Sequence, residues 1–219
     1  KWLGYIDKYI LFPLSLKVQA QWADVVHICD HSNAIYVPYI KHQPHLVTCH
    51  DLMAVRSALG EFSQNSGVGN SGQLQQKWIV KGLSTAHFIA SVSSSTQNDL
   101  QRFVGEEVDL RVIYNGLNYP FKPMATQEAL ACLKPYSITD TSPFLLHIGG
   151  NQWYKNRLGL IDIYAELIKQ APNTPLTLVL AGKPFSSELR DLIEHYGLQD
   201  RVVEITGAST EQLRALYSL

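Results

Sequence analysis

The sequence predicts an α/β protein of two consecutive units, each a parallel sheet covered by helices. From Val25 onward, short apolar runs alternate with segments of helical spacing, and a proline-rich stretch parts them into two groups. The runs also end on glycines or on paired polar residues, the place where open α/β sheets bind their ligands.

The opening apolar stretch, Tyr9–Leu16, contains Pro13 and lies between Asp7, Lys8 and Lys17. It falls well short of the roughly 20 apolar residues of a membrane span and lacks the small-residue cleavage site of a signal peptide. A helix packed on the core is the favoured reading, ahead of one touching a membrane surface. The strands expected in the first group are Val25–Ile28, Leu46–Cys49, His87–Val92 and Leu110–Tyr114. Those of the second are Phe144–Ile148, Leu176–Ala181 and Val202–Thr206. Leu160, Ile161, Tyr164, Leu167 and Ile168 form one helical stripe, and Leu189, Leu192, Ile193 and Tyr196 form another. Capping-box spacing marks helix starts at Ser94 with Gln97 and at Ser209 with Gln212. Between the groups lie Pro120, Pro123, Pro135 and Pro143 with only a short helical pattern around Gln127–Leu133, so 118–142 reads as a linker between domains 1–117 and 143–219.

The 219 residues carry 18 Lys and Arg against 19 Asp and Glu, which leaves no basic surplus for a nucleic-acid partner. Cys29, Cys49 and Cys132 form no CxxC pair, which argues against a disulfide scaffold and for a reducing compartment, the cytoplasm. His27-x3-His31 and His42-x2-His45 suggest zinc, but no HExxH and no third ligand accompany them, so no metal is expected.

Chemistry is expected at the strand ends. Gly149-Gly150 precedes Lys155 at the opening of an Asn156–Gln170 helix: a glycine turn, free amides and a cation that together suit phosphate. A tight turn with a solvated lysine is the equal alternative. Gly182 and Gly207 end the other strands of that group, where glycine lets a backbone approach a ligand closely or relieves a tight turn. In the first group the ends are Asp30-His31 and His50-Asp51. The latter offers a polar contact or a general base with its neighbour, against the commoner backbone-bonded histidine. Gly67-Val68-Gly69-Asn70-Ser71-Gly72 matches GxGxxG but follows a polar stretch and lacks an acidic residue about 20 positions on; it reads as a surface loop. Ser93-Ser94-Ser95 lacks the GxSxG elbow, and these serines read as helix caps.

In order along the chain, these pieces resemble the retaining glycosyltransferases of family 4, with the GT-B fold. The matching stretches are Ala23–His31, Val47–Leu52, Ile89–Ser93 with Thr96 and Asp99, Val112–Gly116, His147–Gly150 with Lys155-Asn156, Leu178–Gly182, and Thr206-Gly207 before Glu211. The resemblance implies two Rossmann-like domains, both incomplete in this chain, with an acceptor side first and a nucleotide-sugar side second. It implies transfer of a hexose from a nucleotide-diphosphate sugar to a glycan or lipid-linked acceptor, with retention and no cofactor. Carried over by position, Lys155 neutralises the departing diphosphate, and His50 with Asp51 meets the transferred sugar. Gly149, Gly150, Asn151, Gly182, Gly207 and Ser209 then line the donor, while Asp30, His31, Ser93, Asn115 and Gly116 line the acceptor side of the cleft. Gly150 stands where the family usually has an arginine, for which Asn151 or Arg157 is the candidate substitute. The resemblance also implies an internal fragment, inactive alone, since the family's opening strand and later acidic glutamate segment are not in the sequence. A GT-B epimerase or phosphorylase, or a non-catalytic nucleotide-binding module, are the alternatives. Peripheral contact with the inner membrane face through Trp2–Leu16 is a further expectation.

Overall fold

The computed structural model describes residues 2–63, 68–139 and 143–219. The chain divides into two compact units, Lys1–Gly116 and Leu117–Leu219. The expected α/β class is what the structure shows, with every expected strand present and each sheet wholly parallel.

The first unit opens with helices α1 (Trp2–Ile6) and α2 (Phe12–Gln19), joined by a π-helical turn, Asp7–Leu11. This segment packs on the unit along one side: Leu16 lies against the core, and the rings of Phe12 and Tyr36 meet edge to face with centroids 4.9 Å apart. Pro13 is its one buried residue on α2, whereas Leu3, Tyr5, Ile10, Leu11 and Leu14 are exposed. No described helix is long and apolar enough to cross a membrane.

Strands β1 (Val26–Ile28), β2 (His45–Cys49), β3 (Phe88–Ser91) and β4 (Asp109–Val112) form the sheet in that order. A 3-10 helix, His31–Tyr39, follows β1, and α3 (Met53–Ala58) and α4 (Asn70–Leu83) lie between β2 and β3. The GxGxxG segment is therefore not all loop. Gly67 lies outside the described residues, but Asn70 to Gly72 form the first turn of α4, and the preceding described element is a helix rather than a strand. Helix α5 (Ser94–Val104) is capped one residue earlier than expected: Ser93 Oγ, not Ser94, accepts the Thr96 amide (3.1 Å). Val47, Ile79, Leu83, Ile89 and Leu100 close the core between sheet and helices.

Helix α4 sits tightly on the 3-10 helix. A Cβ on Gly82 would lie 2.0 Å from Ala34 O and 2.5 Å from Ala34 C, both backbone atoms. Since no rotamer relieves such a contact, Gly82→Ala is expected to lower stability by about 1–3 kcal/mol. A thermal melt of wild type and variant checks it, and an unchanged midpoint contradicts it.

At the opposite edge from the strand carboxyl ends, His45 is buried and stacks on His87 with centroids 4.1 Å apart. Its Nε2 accepts the His87 amide (3.2 Å), so Nδ1 carries the proton and donates to Gln43 O (2.8 Å). Only the neutral ring satisfies both bonds. Burial pushes the His45 pKa below its ordinary value; the Gln43 bond opposes this, and His87 adds to it. His31 shifts the same way, burial again leading, with Asp30 and Asp51 opposing. A lowered native pKa means the unfolded chain binds protons first. Stability is then complete above the ordinary histidine value near 6.5 and falls as pH drops through it toward the native values. Urea melts at pH 7.5 and 5.5 should show this loss, reduced in His45→Asn; equal loss in that variant contradicts it.

In the second unit, β5 (Phe144–Gly149), β6 (Thr177–Gly182) and β7 (Val202–Thr206) form the sheet in sequence order. The segment expected to be a linker belongs to this unit as far as it is described. Helix α6 (Thr126–Leu133) buries Ala129 and Leu133 against Ala215 and Leu216 of the final helix, and Met124 N–H donates to Ser218 Oγ (3.0 Å). The expected helices appear as α7 (Arg157–Gln170), α8 (Ser187–His195) and α9 (Thr210–Ser218). Their stripes bury Ile161, Tyr164, Leu189 and Ile193 in one cluster, while Tyr196 stays outside and donates to Asp162 Oδ1 (3.0 Å). Ser209 and Gln212 form the expected capping box at α9.

Candidate active site

The carboxyl ends of the first sheet gather the expected polar residues, and helix capping fixes most of them. Asp30 adopts an extended backbone before the 3-10 helix, and its Oδ1 accepts the Ser32 amide (2.7 Å). That bond holds its carboxyl below the usual range, with burial opposing. Asp51 Oδ1 accepts the Met53 amide (2.9 Å) at the start of α3, and Ser93 caps α5. Buried Thr96 donates to His50 O (3.3 Å), tying α5 to the end of β2.

His50 is exposed, and its Nε2 lies 3.1 Å from Cys29 O. A carbonyl oxygen only accepts, so the proton sits on Nε2 and Nδ1 keeps its lone pair. Nδ1 has no partner among the described residues and can accept a hydroxyl proton. The expected pairing of His50 with Asp51 is absent, because the Asp51 carboxylate turns to its own helix instead. His31 is buried with Nδ1 unpartnered, 3.9 Å from Asp30 Oδ1. Cys49 is inert, its thiol pushed up to about 12 chiefly by burial. Asn115 and Gly116 lie beyond β4, are exposed, and form no hydrogen bond with this group among the described residues.

The second sheet's carboxyl edge is built around close backbone contact. Gly182, at φ +138°, leaves no room for a side chain: a Cβ there would lie 1.9 Å from Gly149 O. The Gly207 amide (φ +65°) donates to Gly182 O (3.3 Å), so the three strand-end glycines form one chain of contacts. Gly150 is different: a Cβ there meets only the end of the Gln152 side chain. Ser209 is occupied as the α9 cap.

Lys155 ends a 3-10 turn, Trp153–Lys155, whose next residue, Asn156, caps α7 by accepting the Gly159 amide (3.3 Å). The lysine stem passes over Gly149, and Nζ lies 5.6 Å from the Tyr154 ring centroid. No carboxylate pairs with it among the described residues. His147 supports the turn from below, with Nε2 3.2 Å from Lys155 O.

The expected substitutes for a second exposed cation are both occupied. Arg157 is only 4% exposed and donates to Asn151 Oδ1 (2.9 Å), Lys183 O (2.9 Å), Gly149 O (2.7 Å) and Ala181 O (3.2 Å). Asn151 spends its amide nitrogen on Pro184 O (2.7 Å). Neither side chain is free to bind phosphate. Sequence reasoning missed this clamp, since an arginine in a first helical turn reads as solvated. It also missed Lys183, an exposed lysine directly after a strand-end glycine, a placement the sequence did display. Among the described residues no group of three or more His, Cys, Asp or Glu side chains is placed to hold a metal.

Two parallel sheets flanked by helices, with close-packed glycines at the strand ends of the second, define an α/β protein whose fold matches GT-B structures. Residues 2–119 match the family model Glycosyltransferase Family 4, and the chain belongs to that family. The structure of Anabaena Alr3699/HepE in complex with UDP and glucose is similar over 97% of this chain and 55% of that one, with TM-score 0.73 and 16% identity. An α,α-trehalose-phosphate synthase (UDP-forming) from Burkholderia vietnamiensis matches 99% of this chain and 56% of its own, with TM-score 0.61 and 10% identity. TarM matches 86% and 34%, with TM-score 0.55 and 14% identity. At such identities the likeness is one of fold. The chain spans about half the length of the first structures it matches. No curated protein sequence matches it.

Proposed function

We propose that the protein is a retaining hexosyltransferase, moving a sugar from a nucleoside-diphosphate sugar to a glycan or lipid-linked acceptor. The observation that carries this is Lys155: a cation with no carboxylate partner among the described residues, held over a glycine turn at the end of β5. Family membership and the UDP-glucose complex of Alr3699/HepE support the same reading.

In such a transfer the bond between the anomeric carbon and a diphosphate oxygen breaks, and negative charge grows on the departing diphosphate. A fixed cation and backbone amides stabilise this larger charge more than the smaller one the diphosphate already bears in the ground state. Lys155 supplies the cation. His50, held by Cys29 O, offers Nδ1 to a hydroxyl of the transferred sugar and orients it. Asp30 and His31, which stand near His50 at the first sheet's edge, are assigned to the acceptor. With retention, the acceptor oxygen enters on the face the diphosphate leaves. The reading sets the enzyme in the cytoplasm, and exposed Leu3, Tyr5, Ile10 and Leu14 beside Lys8 and Lys17 support peripheral contact with the inner membrane face.

Calorimetry with UDP, GDP and ADP tests the proposal. One diphosphate should bind selectively to wild type and lose most of its affinity in Lys155→Ala. Absence of binding by all of them would overturn the transferase reading in favour of a non-catalytic module.

A further inference from the structure

Arg157 is a buried guanidinium that forms no ion pair among the described residues and whose Nε has no partner. Burial lowers its pKa, with Glu204 opposing from a distance. Its hydrogen bonds run to Gly149 O, Ala181 O, Lys183 O and Asn151 Oδ1, so it joins the loops that leave β5 and β6. Glu204 itself is taken up by the Phe185 amide (2.6 Å) and by Arg190 (2.8 Å). Among the described residues, the oxygens in direct contact with this positive charge are backbone and amide oxygens.

Strand-end carbonyls facing a diphosphate would repel it. Here those of Gly149, Ala181 and Lys183 turn to Arg157 instead. The peptide unit is planar and trans, so a carbonyl pointing one way sends the following N–H the other way. With Gly149 O fixed on the guanidinium, the Gly150 N–H points away from it and has no partner among the described residues.

We infer that Arg157 is a positioning residue: it holds the Gly149–Gly150 peptide so that the Gly150 amide, beside Lys155, donates to the diphosphate of the donor. This rests on the proposed function and deepens it, because Arg157 acts through the loop and never touches the ligand. What Arg157 supplies is geometry, not charge alone. Lysine at 157 keeps the charge but cannot reproduce the planar fork that spans several carbonyls.

Nitrogen-15 NMR of the glycine-labelled protein, titrated with UDP and with inorganic pyrophosphate, tests this. In wild type the Gly150 amide should shift strongly with either ligand. In Arg157→Lys the UDP Kd should rise about ten- to a hundredfold with the Gly150 response lost. Lys155→Ala should weaken binding too, yet keep the Gly150 response at saturation. UDP binding to wild type without a Gly150 shift overturns the inference while the transferase reading stands, and needs no variant to fold. An Arg157→Lys protein with wild-type affinity and Gly150 response overturns it as well. If neither UDP nor pyrophosphate binds wild type, both the inference and the reading beneath it fall.

Discussion

Gly182→Ala is expected to be the most damaging single-methyl change in the second unit. The new Cβ would lie 1.9 Å from Gly149 O, and the residue would have to hold φ +138° with a side chain. Backbone stands on both sides of the contact, so relief requires the carboxyl ends of β5 and β6 to part. That would break the Lys183 N–H to Gly149 O bond (3.4 Å) and disturb the Arg157 clamp on Gly149 and Ala181. Overpacking and backbone strain each cost about 1–3 kcal/mol, and here they act together. A melting midpoint lowered by several degrees, with weakened nucleotide binding, is the expected result. Gly150→Ala is the control: its Cβ displaces only the Gln152 side chain, and stability should move by less than about 0.5 kcal/mol. Equal effects from the two substitutions would show that close approach at Gly182 is not what fixes this edge.

Lys155→Ala should have the largest effect on chemistry. Removing one donor aimed at developing charge typically costs about 10²–10³ in rate, or about 3–4 kcal/mol. The lysine sits on a short surface turn whose backbone is held by Gln152 O accepting the Lys155 amide (2.8 Å), so its side chain contributes little to folding. Stability should therefore change little, while sugar transfer by the full-length enzyme collapses. Steady-state rates and melts on the same preparations separate the two effects. A variant with an unchanged rate would remove Lys155 from the site.

Much of the fold was legible because it is written in local periodicity. The run Val202–Thr206 is the strand as observed, and Ser209 with Gln212 is the cap as observed. Misreadings occurred where a partner distant in sequence decides. β4 stops at Val112 rather than Tyr114 because its neighbour β3 ends at Ser91, whose carbonyl takes the Ile113 amide as the last bond (2.8 Å). Gln97 does not fold back to cap α5, because its side chain donates to Leu110 O on β4 (3.0 Å). Three consecutive serines offer the same capping chemistry, and only tertiary placement selects Ser93.

The candidate site divides the same way. The alternation of strands and helices, the glycines at strand ends, and the polar pairs Asp30-His31 and His50-Asp51 are properties of the sequence alone, since they depend on spacing and residue type. Which of those groups remains free depends on the fold. Lys155 and Arg157 are two residues apart and carry the same charge, yet one is exposed with no ion-pair partner among the described residues and the other is buried among carbonyl oxygens from Gly149, Ala181 and Lys183. Hydrogen bonding and desolvation depend on neighbours in space, and that is why only the tertiary structure could tell the exposed cation from the one that holds the loops.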